Sequence, residues 1–228
     1  MDPLEGSSWS SPATVAGFVQ SPPNGVLLRF AEEELRRADG SRALDLGCGA
    51  GRNAVPLARL GWSVLGLDLS WPMVSAAAPR TRDEGLADRL HVALSPMDEL
   101  PVRDRSIDLV IAHGVWNLAR SAAEFRRAVS EAARVVKPGG ALFVFTFSRN
   151  TLPPEAQPVA GEPFVFTQFS GEPQCFLTEA QLFEELEAGG FERDTSLPVT
   201  EYNRPRPGAL TAMTGPVIYE AAFRRARA

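Results

Sequence analysis

Apolar residues return at helical spacing from position 24 onward. Val26, Leu27, Phe30, Ala31 and Leu35 share one face, among Glu32, Glu33, Glu34 and Arg36. Asp39-Gly40-Ser41 ends that helix, and Ala43-Leu44-Asp45-Leu46 then reads as a short buried strand closing at Gly47. From there the period alternates. Residues 53–60 are helical and stopped by Gly61, 63–69 form a second strand, and a helix starts over 72–78. Residues 90–94 and 107–112 supply a third and a fourth strand. Residues 124–136 are amphipathic, with Phe125, Ala128, Val129, Ala132 and Val135 on one side; Lys137-Pro138-Gly139-Gly140 breaks that helix before a fifth strand over 141–147. Thr178 caps a helix that runs to Ala188 and stops at Gly189-Gly190. Two β-like segments, near 195–202 and 217–223, complete a sheet of seven strands. Strands alternating with helices imply βαβ units, so the expected class is α/β, a mostly parallel sheet with helices on both faces.

Three stretches stand outside this rhythm. Residues 1–25 hold 12 Ser, Pro and Gly, and read as an irregular N-terminal arm. Trp9, Val15, Phe18 and Val19 are more apolar than a disordered tail needs, so the arm either packs on the body or forms a lid over a pocket. Residues 150–173 hold five Pro and two Gly around Phe164-Val165-Phe166, which reads as a loop or short hairpin inserted after the fifth strand. A third loop carries Arg204-Pro205-Arg206-Pro207-Gly208. The remainder, 26–228, reads as one domain.

Composition narrows the class. The chain has 228 residues, 44% hydrophobic and 22% charged, which excludes a disordered chain, a collagen-like one and a disulfide scaffold. A net charge of −5 weighs against a nucleic-acid partner. Cys48 and Cys175 stand 127 positions apart and, with His91 and His113, cannot build a zinc site, so no metal is expected. The first residues lack the basic start and apolar core of a signal peptide, and no apolar run approaches a membrane span; the expected location is the cytoplasm, with no membrane partner.

The chemistry concentrates in Asp45-Leu46-Gly47-Cys48-Gly49-Ala50-Gly51-Arg52-Asn53, which follows one strand and opens one helix. Glycines there let the backbone turn tightly and approach a ligand without Cβ interference. Asp68 ends the next strand, where an acid accepts both hydrogen bonds of a ribose diol. A dinucleotide fingerprint counted from Gly47 and Gly49 needs its third glycine at 52; that residue is Arg52, which disfavours an NAD(P)-binding oxidoreductase.

The pattern instead resembles motif I of the class I S-adenosylmethionine-dependent methyltransferases. Further blocks follow in that family's order: Asp98-Glu99-Leu100-Pro101-Val102, Ser106-Ile107-Asp108-Leu109-Val110, Arg134-Val135-Val136-Lys137-Pro138-Gly139-Gly140, and Phe176-Leu177-Thr178-Glu179-Ala180 with Ala188-Gly189-Gly190-Phe191. Arg52 and the residues around it are similar to small-molecule methyltransferases of the tellurite-resistance and thiopurine type. The resemblance implies a Rossmann-like seven-stranded sheet and S-adenosyl-L-methionine as cofactor, with S-adenosyl-L-homocysteine as product. It implies that Gly47, Cys48 and Gly49 pass beside the methionine moiety with Asp45 behind them, and that Asp68 holds the ribose. Leu69 would flank the adenine, Met97 and Asp98 would meet its edge, Ala112 would face the sulfonium, and Arg52 would reach the carboxylate. One departure concerns the acid that the family commonly carries four residues before Leu100-Pro101. Pro96 stands there, and Asp98 is expected to substitute.

The implied activity is in-line methyl transfer to a small-molecule acceptor through O, N or S, by a monomer or homodimer. The alternatives are a quinone or natural-product C/O-methyltransferase, or a non-catalytic nucleotide-binding module. His113, just past the fourth strand, is either a catalytic base or a rim histidine held by backbone. Trp116 either walls an acceptor pocket or packs in the core. Acceptor residues are expected from the three coverings: Trp9, Phe18, Phe164, Phe166, Phe169 and Tyr202 as an aromatic cavity, with Arg204 and Arg206 facing an anion. The Asp/Asn-Pro-Pro-Tyr/Phe signature of base-amino methylation is absent after the fourth strand, which again argues against nucleic acid.

Overall fold

The structure, a computed structural model, describes residues 2–38, 40–204 and 215–227. Five strands, β1 (Arg42–Leu46), β2 (Ser63–Asp68), β3 (Leu90–Leu94), β4 (Ile107–His113) and β5 (Val136–Phe147), run parallel in the order β3-β2-β1-β4-β5. The chain works outward from β1 on one side and from β4 on the other, so the order reverses between them. That switch point is where open α/β sheets bind ligands, beyond the carboxyl ends of the strands.

Alternation along each strand decides which face a side chain serves. Leu44, Leu46, Val110, Ala112, Leu142 and Val144 bury in one apolar cluster, while Ala43, Leu109, Ile111, Ala141 and Phe143 bury in the other. Helices α2 (Gly25–Arg37) and α3 (Ala54–Leu60) cover the second cluster with Leu27, Phe30, Val55 and Leu57. Helices α5 (Ala122–Val135) and α6 (Glu179–Ala188) cover the first with Phe125, Val129, Leu182 and Leu186. Helix α4 (Trp71–Asp83) lies against β3.

The sheet has eight strands, where the sequence pattern gives seven. The extra one arises because β10 (Ile218–Arg225), antiparallel to β5, has two short strands sharing its other edge. Phe191–Arg193 (β8) pairs with its end and Thr200–Tyr202 (β9) with its start. Between them Asp194 accepts from the Ser196 backbone at 2.9 Å in a tight turn, and Pro198 has no N–H to continue a ladder. The expected break at 137–140 is also revised. Strand β5 begins at Val136 and absorbs the glycines as a register shift against β4, with Gly139 at φ 77°. The insert folds as a hairpin of β6 (Val165–Phe166) and β7 (Gln174–Cys175).

The arm is not irregular. It forms α1 (Pro12–Gln20), capped by Ser11, whose side chain accepts from the Thr14 N–H at 3.2 Å. Helix α1 packs on α4, yet none of its residues is fully buried. Among the described residues, no helix is long and apolar enough to cross a membrane.

Candidate active site

Gly47, Gly49 and Gly51 sit at φ 66°, 54° and 80°, a left-handed run that L side chains rarely adopt. A Cβ on Gly47 would stand 2.8 Å from the Val115 side chain, and one on Gly49 would stand 3.3 Å from the Phe18 ring. The loop is pinned to β2 by the Cys48 N–H donating to the Leu67 carbonyl at 3.0 Å. The Cys48 thiol lies under Gly66, and burial pushes its pKa well up, so it is a packed and unreactive sulfur.

Asp68 stands beside this loop at the end of β2. Its Oδ2 accepts from the Gly49 N–H at 2.9 Å and its Oδ1 from the Ser70 N–H at 2.8 Å. Burial raises its pKa, while those backbone donors act in the opposite sense. Each oxygen keeps further lone-pair capacity, which is what a vicinal diol needs. Leu69 and Met97 are both half-buried.

Asp45 is fully enclosed on β1, and burial pushes its carboxyl up to about 7, against the pull of Arg52. Arg52, in the turn just before α3, sets its Nη2 3.1 Å from His113 Nδ1 and its guanidinium 6.0 Å from the Phe18 ring. His113 ends β4 just past Ala112, stacked on Phe145 with ring centroids 4.0 Å apart. Burial, helped by the nearby Arg52 charge, pushes His113 down to about 3. It is therefore neutral and, at that basicity, poorly suited to take a proton from an alcohol.

The arm crosses this site. Ser10 Oγ is 3.0 Å from Ser70 Oγ, the Trp71 N–H donates to Asp2 at 3.0 Å, and Trp9 meets Phe18 edge-on at 6.1 Å. The structure thus brings together Asp45, Gly47, Cys48, Gly49, Arg52, Asp68, Leu69, Ala112, His113 and the arm.

The other expected residues fare differently. The Asp98 carboxylate is engaged by Arg127 of α5 at 2.9 Å. Trp116 is 1% exposed and packs edge-on against Phe125, so it is a core residue and walls no pocket. Phe164 and Phe166 are likewise buried, and Phe169 is exposed. Trp9 and Tyr202 are exposed too, but Trp9 belongs to the arm across the site and the Tyr202 hydroxyl donates to Glu220 at 3.0 Å. Arg206 and most of its loop lie outside the described residues. Sequence reasoning missed Asn24 and Glu220. Asn24 Nδ2 donates to Glu220 Oε2 at 2.7 Å and lies 3.1 Å from His113 Nε2. The signals were present: an Asn-Gly pair at a helix start, and an acid inside the apolar run 217–223.

A doubly wound sheet with a glycine loop at its switch point, and an acid ending the next strand, defines a nucleoside-cofactor-binding α/β domain. Residues 44–144 match the family described as methyltransferase domain. A "probable S-adenosylmethionine-dependent methyltransferase" of Mycolicibacterium smegmatis is 32% identical over 190 residues, 83% of this chain and 66% of that protein. The demethylmenaquinone methyltransferase of Corynebacterium glutamicum is 27% identical over 202 residues, 82% of this chain and 81% of that one. An S-adenosylmethionine-dependent methyltransferase structure from Methanosarcina mazei shares the fold with a TM-score of 0.67 at 20% identity, covering 91% of this chain and all of that one. The chain belongs to the class I S-adenosylmethionine-dependent methyltransferases. S-adenosylmethionine is that family's cofactor, and the donor set suits it: a cation for its carboxylate, an acid for its ribose, and glycines bare enough for close approach.

Proposed function

We propose that this chain transfers a methyl group from S-adenosylmethionine to a small organic acceptor by in-line displacement. The observation that carries this reading is the convergence of Asp68, the glycine loop and the Arg52–His113 pair at the switch point. Asp68 holds the ribose, Leu69 flanks the adenine, Met97 meets its edge, Gly47 to Gly49 line the path of the amino-acid portion, and Arg52 takes its carboxylate. The cofactor supplies a carbon already activated by its sulfonium, so the chain's own task is alignment and exclusion of water. Helix α1, with Phe18 over Gly49, and the turn before it, with Ser10 on Ser70, act as the cover.

A small acceptor suits a site that the N-terminal segment crosses. A ring carbon of a quinone precursor is a second reading, favoured by similarity to the demethylmenaquinone methyltransferase. Calorimetry with S-adenosylhomocysteine beside NAD tests the cofactor assignment: binding of the first is expected, and binding of NAD alone overturns it. Asp68→Ala should weaken S-adenosylhomocysteine by about tenfold or more, since hydrogen bonds to a charged group are lost, with Asp68→Asn intermediate. Undiminished affinity in both variants would show that the ribose is held elsewhere.

A further inference from the structure

His113 is flanked by donors on both sides. Asn24 Nδ2 lies 3.1 Å from its Nε2 and Arg52 Nη2 lies 3.1 Å from its Nδ1. A neutral imidazole has one lone pair and one N–H, so it accepts from one of these groups and faces the other donor to donor. A protonated ring would face both.

Asn24 cannot turn to relieve this. It is the N-cap of α2, and its Oδ1 accepts from the Val26 and Leu27 N–H groups at 2.9 and 3.1 Å. Its NH2 end is therefore the end that faces the histidine. One of the two amide hydrogens goes to Glu220 Oε2 at 2.7 Å. Glu220 is itself buried on β10 and held from its other oxygen by the Tyr202 hydroxyl at 3.0 Å. The Asn24 backbone N–H is fixed as well, on Asn53 Oδ1 at 3.0 Å. Arg52, by contrast, is a long side chain whose charged end can rotate.

We propose that Asn24 and Glu220 are positioning residues that hold His113 as its Nδ1–H tautomer, with Nε2 accepting from Asn24. His113 is then a hydrogen-bond donor toward the site and has no lone pair there with which to act as a base. Its Nδ1–H and the Arg52 guanidinium present neighbouring donors that one anionic oxygen satisfies together. Resting on the function proposed above, that oxygen belongs to the amino-acid carboxylate of the methyl donor. The donor-to-donor contact between Arg52 and His113 is relieved when the carboxylate binds.

The chain has two histidines, and His91 is exposed on β3, so ring signals are assigned by comparison with a His91→Gln variant. Long-range proton–nitrogen correlation spectra of the full chain should show His113 protonated at Nδ1 and bare at Nε2. Asn24→Ser keeps a good helix cap but removes the amide donor, and should shift His113 toward Nε2–H. Glu220→Leu removes the acceptor that Asn24 needs, and should loosen the tautomer in the same direction. A native ring protonated at Nε2, or a tautomer unmoved in both variants, overturns the assignment. Calorimetry supplies the second arm. His113→Phe, which keeps the stack on Phe145, should weaken S-adenosylhomocysteine about tenfold and leave 5′-methylthioadenosine, which lacks the carboxylate, unchanged. Equal effects on both ligands overturn the carboxylate contact. Failure of the native chain to bind S-adenosylhomocysteine sinks the functional reading and leaves the tautomer result standing.

Discussion

Asp45 and His113 depart from their ordinary protonation in opposite senses, and each leaves a mark on stability. Between 3.8 and about 7 the unfolded chain has released the Asp45 proton and the folded chain still holds it, so this group lowers stability as pH rises through that window. For His113 the unfolded chain binds a proton between about 3 and 6.5 that the folded chain refuses, so its contribution raises stability with pH there. The two offset one another in the wild type, and variants separate them. Asp45→Asn should gain on the wild type as pH rises across the first window, by a few kcal/mol at about 1.4 kcal/mol per unit. Denaturant unfolding at both ends of the window reads this directly, and a constant difference would remove Asp45 as its source. At this scale the sequence named candidate residues but not their neighbours. Asp98 looked free to meet an adenine because its bond to Arg127 joins positions far apart in the chain. Trp116 followed the fourth strand as a site residue would, yet the 3₁₀ turn over Trp116–Leu118 carries it inward against Phe125.

Among the elements, α1 was the least legible. Its apolar Val15, Phe18 and Val19 were visible, but Ser and Pro around them read as loop, and Ser11-Pro12 is a helix start only when the following turn has something to lie on. That support is α4 and the glycine loop, which only the folded chain supplies. The central parallel strands β1 and β4 were legible because they bury both faces and have to read as apolar. The last strands were less so, since β8 and β9 are three residues each and depend on pairing with β10. A helix with no fully buried residue opens at low cost, which is the property of a cover. Phe18→Ala should therefore speed release of S-adenosylhomocysteine by about tenfold in stopped flow, while lowering overall stability by only about 1 kcal/mol. Release at the native rate would mean that α1 is packing and not a lid.

Across the molecule, Arg224 joins parts that the sheet alone would not. From β10 it donates to buried Glu34 on α2 at 2.6 Å and to Asp194 beyond β8 at 2.7 Å. Burial of the acid makes this pairing costly to break from one side, whereas removing both partners relieves the penalty. Arg224→Met should cost about 3 kcal/mol, and Glu34→Leu with Arg224→Met should recover part of it. Thermal unfolding of the single and double variants checks this, and strictly additive losses would show the pair to be uncoupled.

Strand β10 also fills the gap between β5 and β8, and it carries Glu220. Ribosomes reach Glu220 only 171 positions after Gly49, about 10–30 s later at ordinary elongation rates. Until then the apolar Ala141–Phe147 portion of β5 is an open edge, the kind of surface that recruits stray strands. The nascent chain thus finishes its cofactor loop early, while the residue that sets the histidine arrives together with the strand that closes the sheet. Assembly of a competent site and protection from aggregation become one event in synthesis.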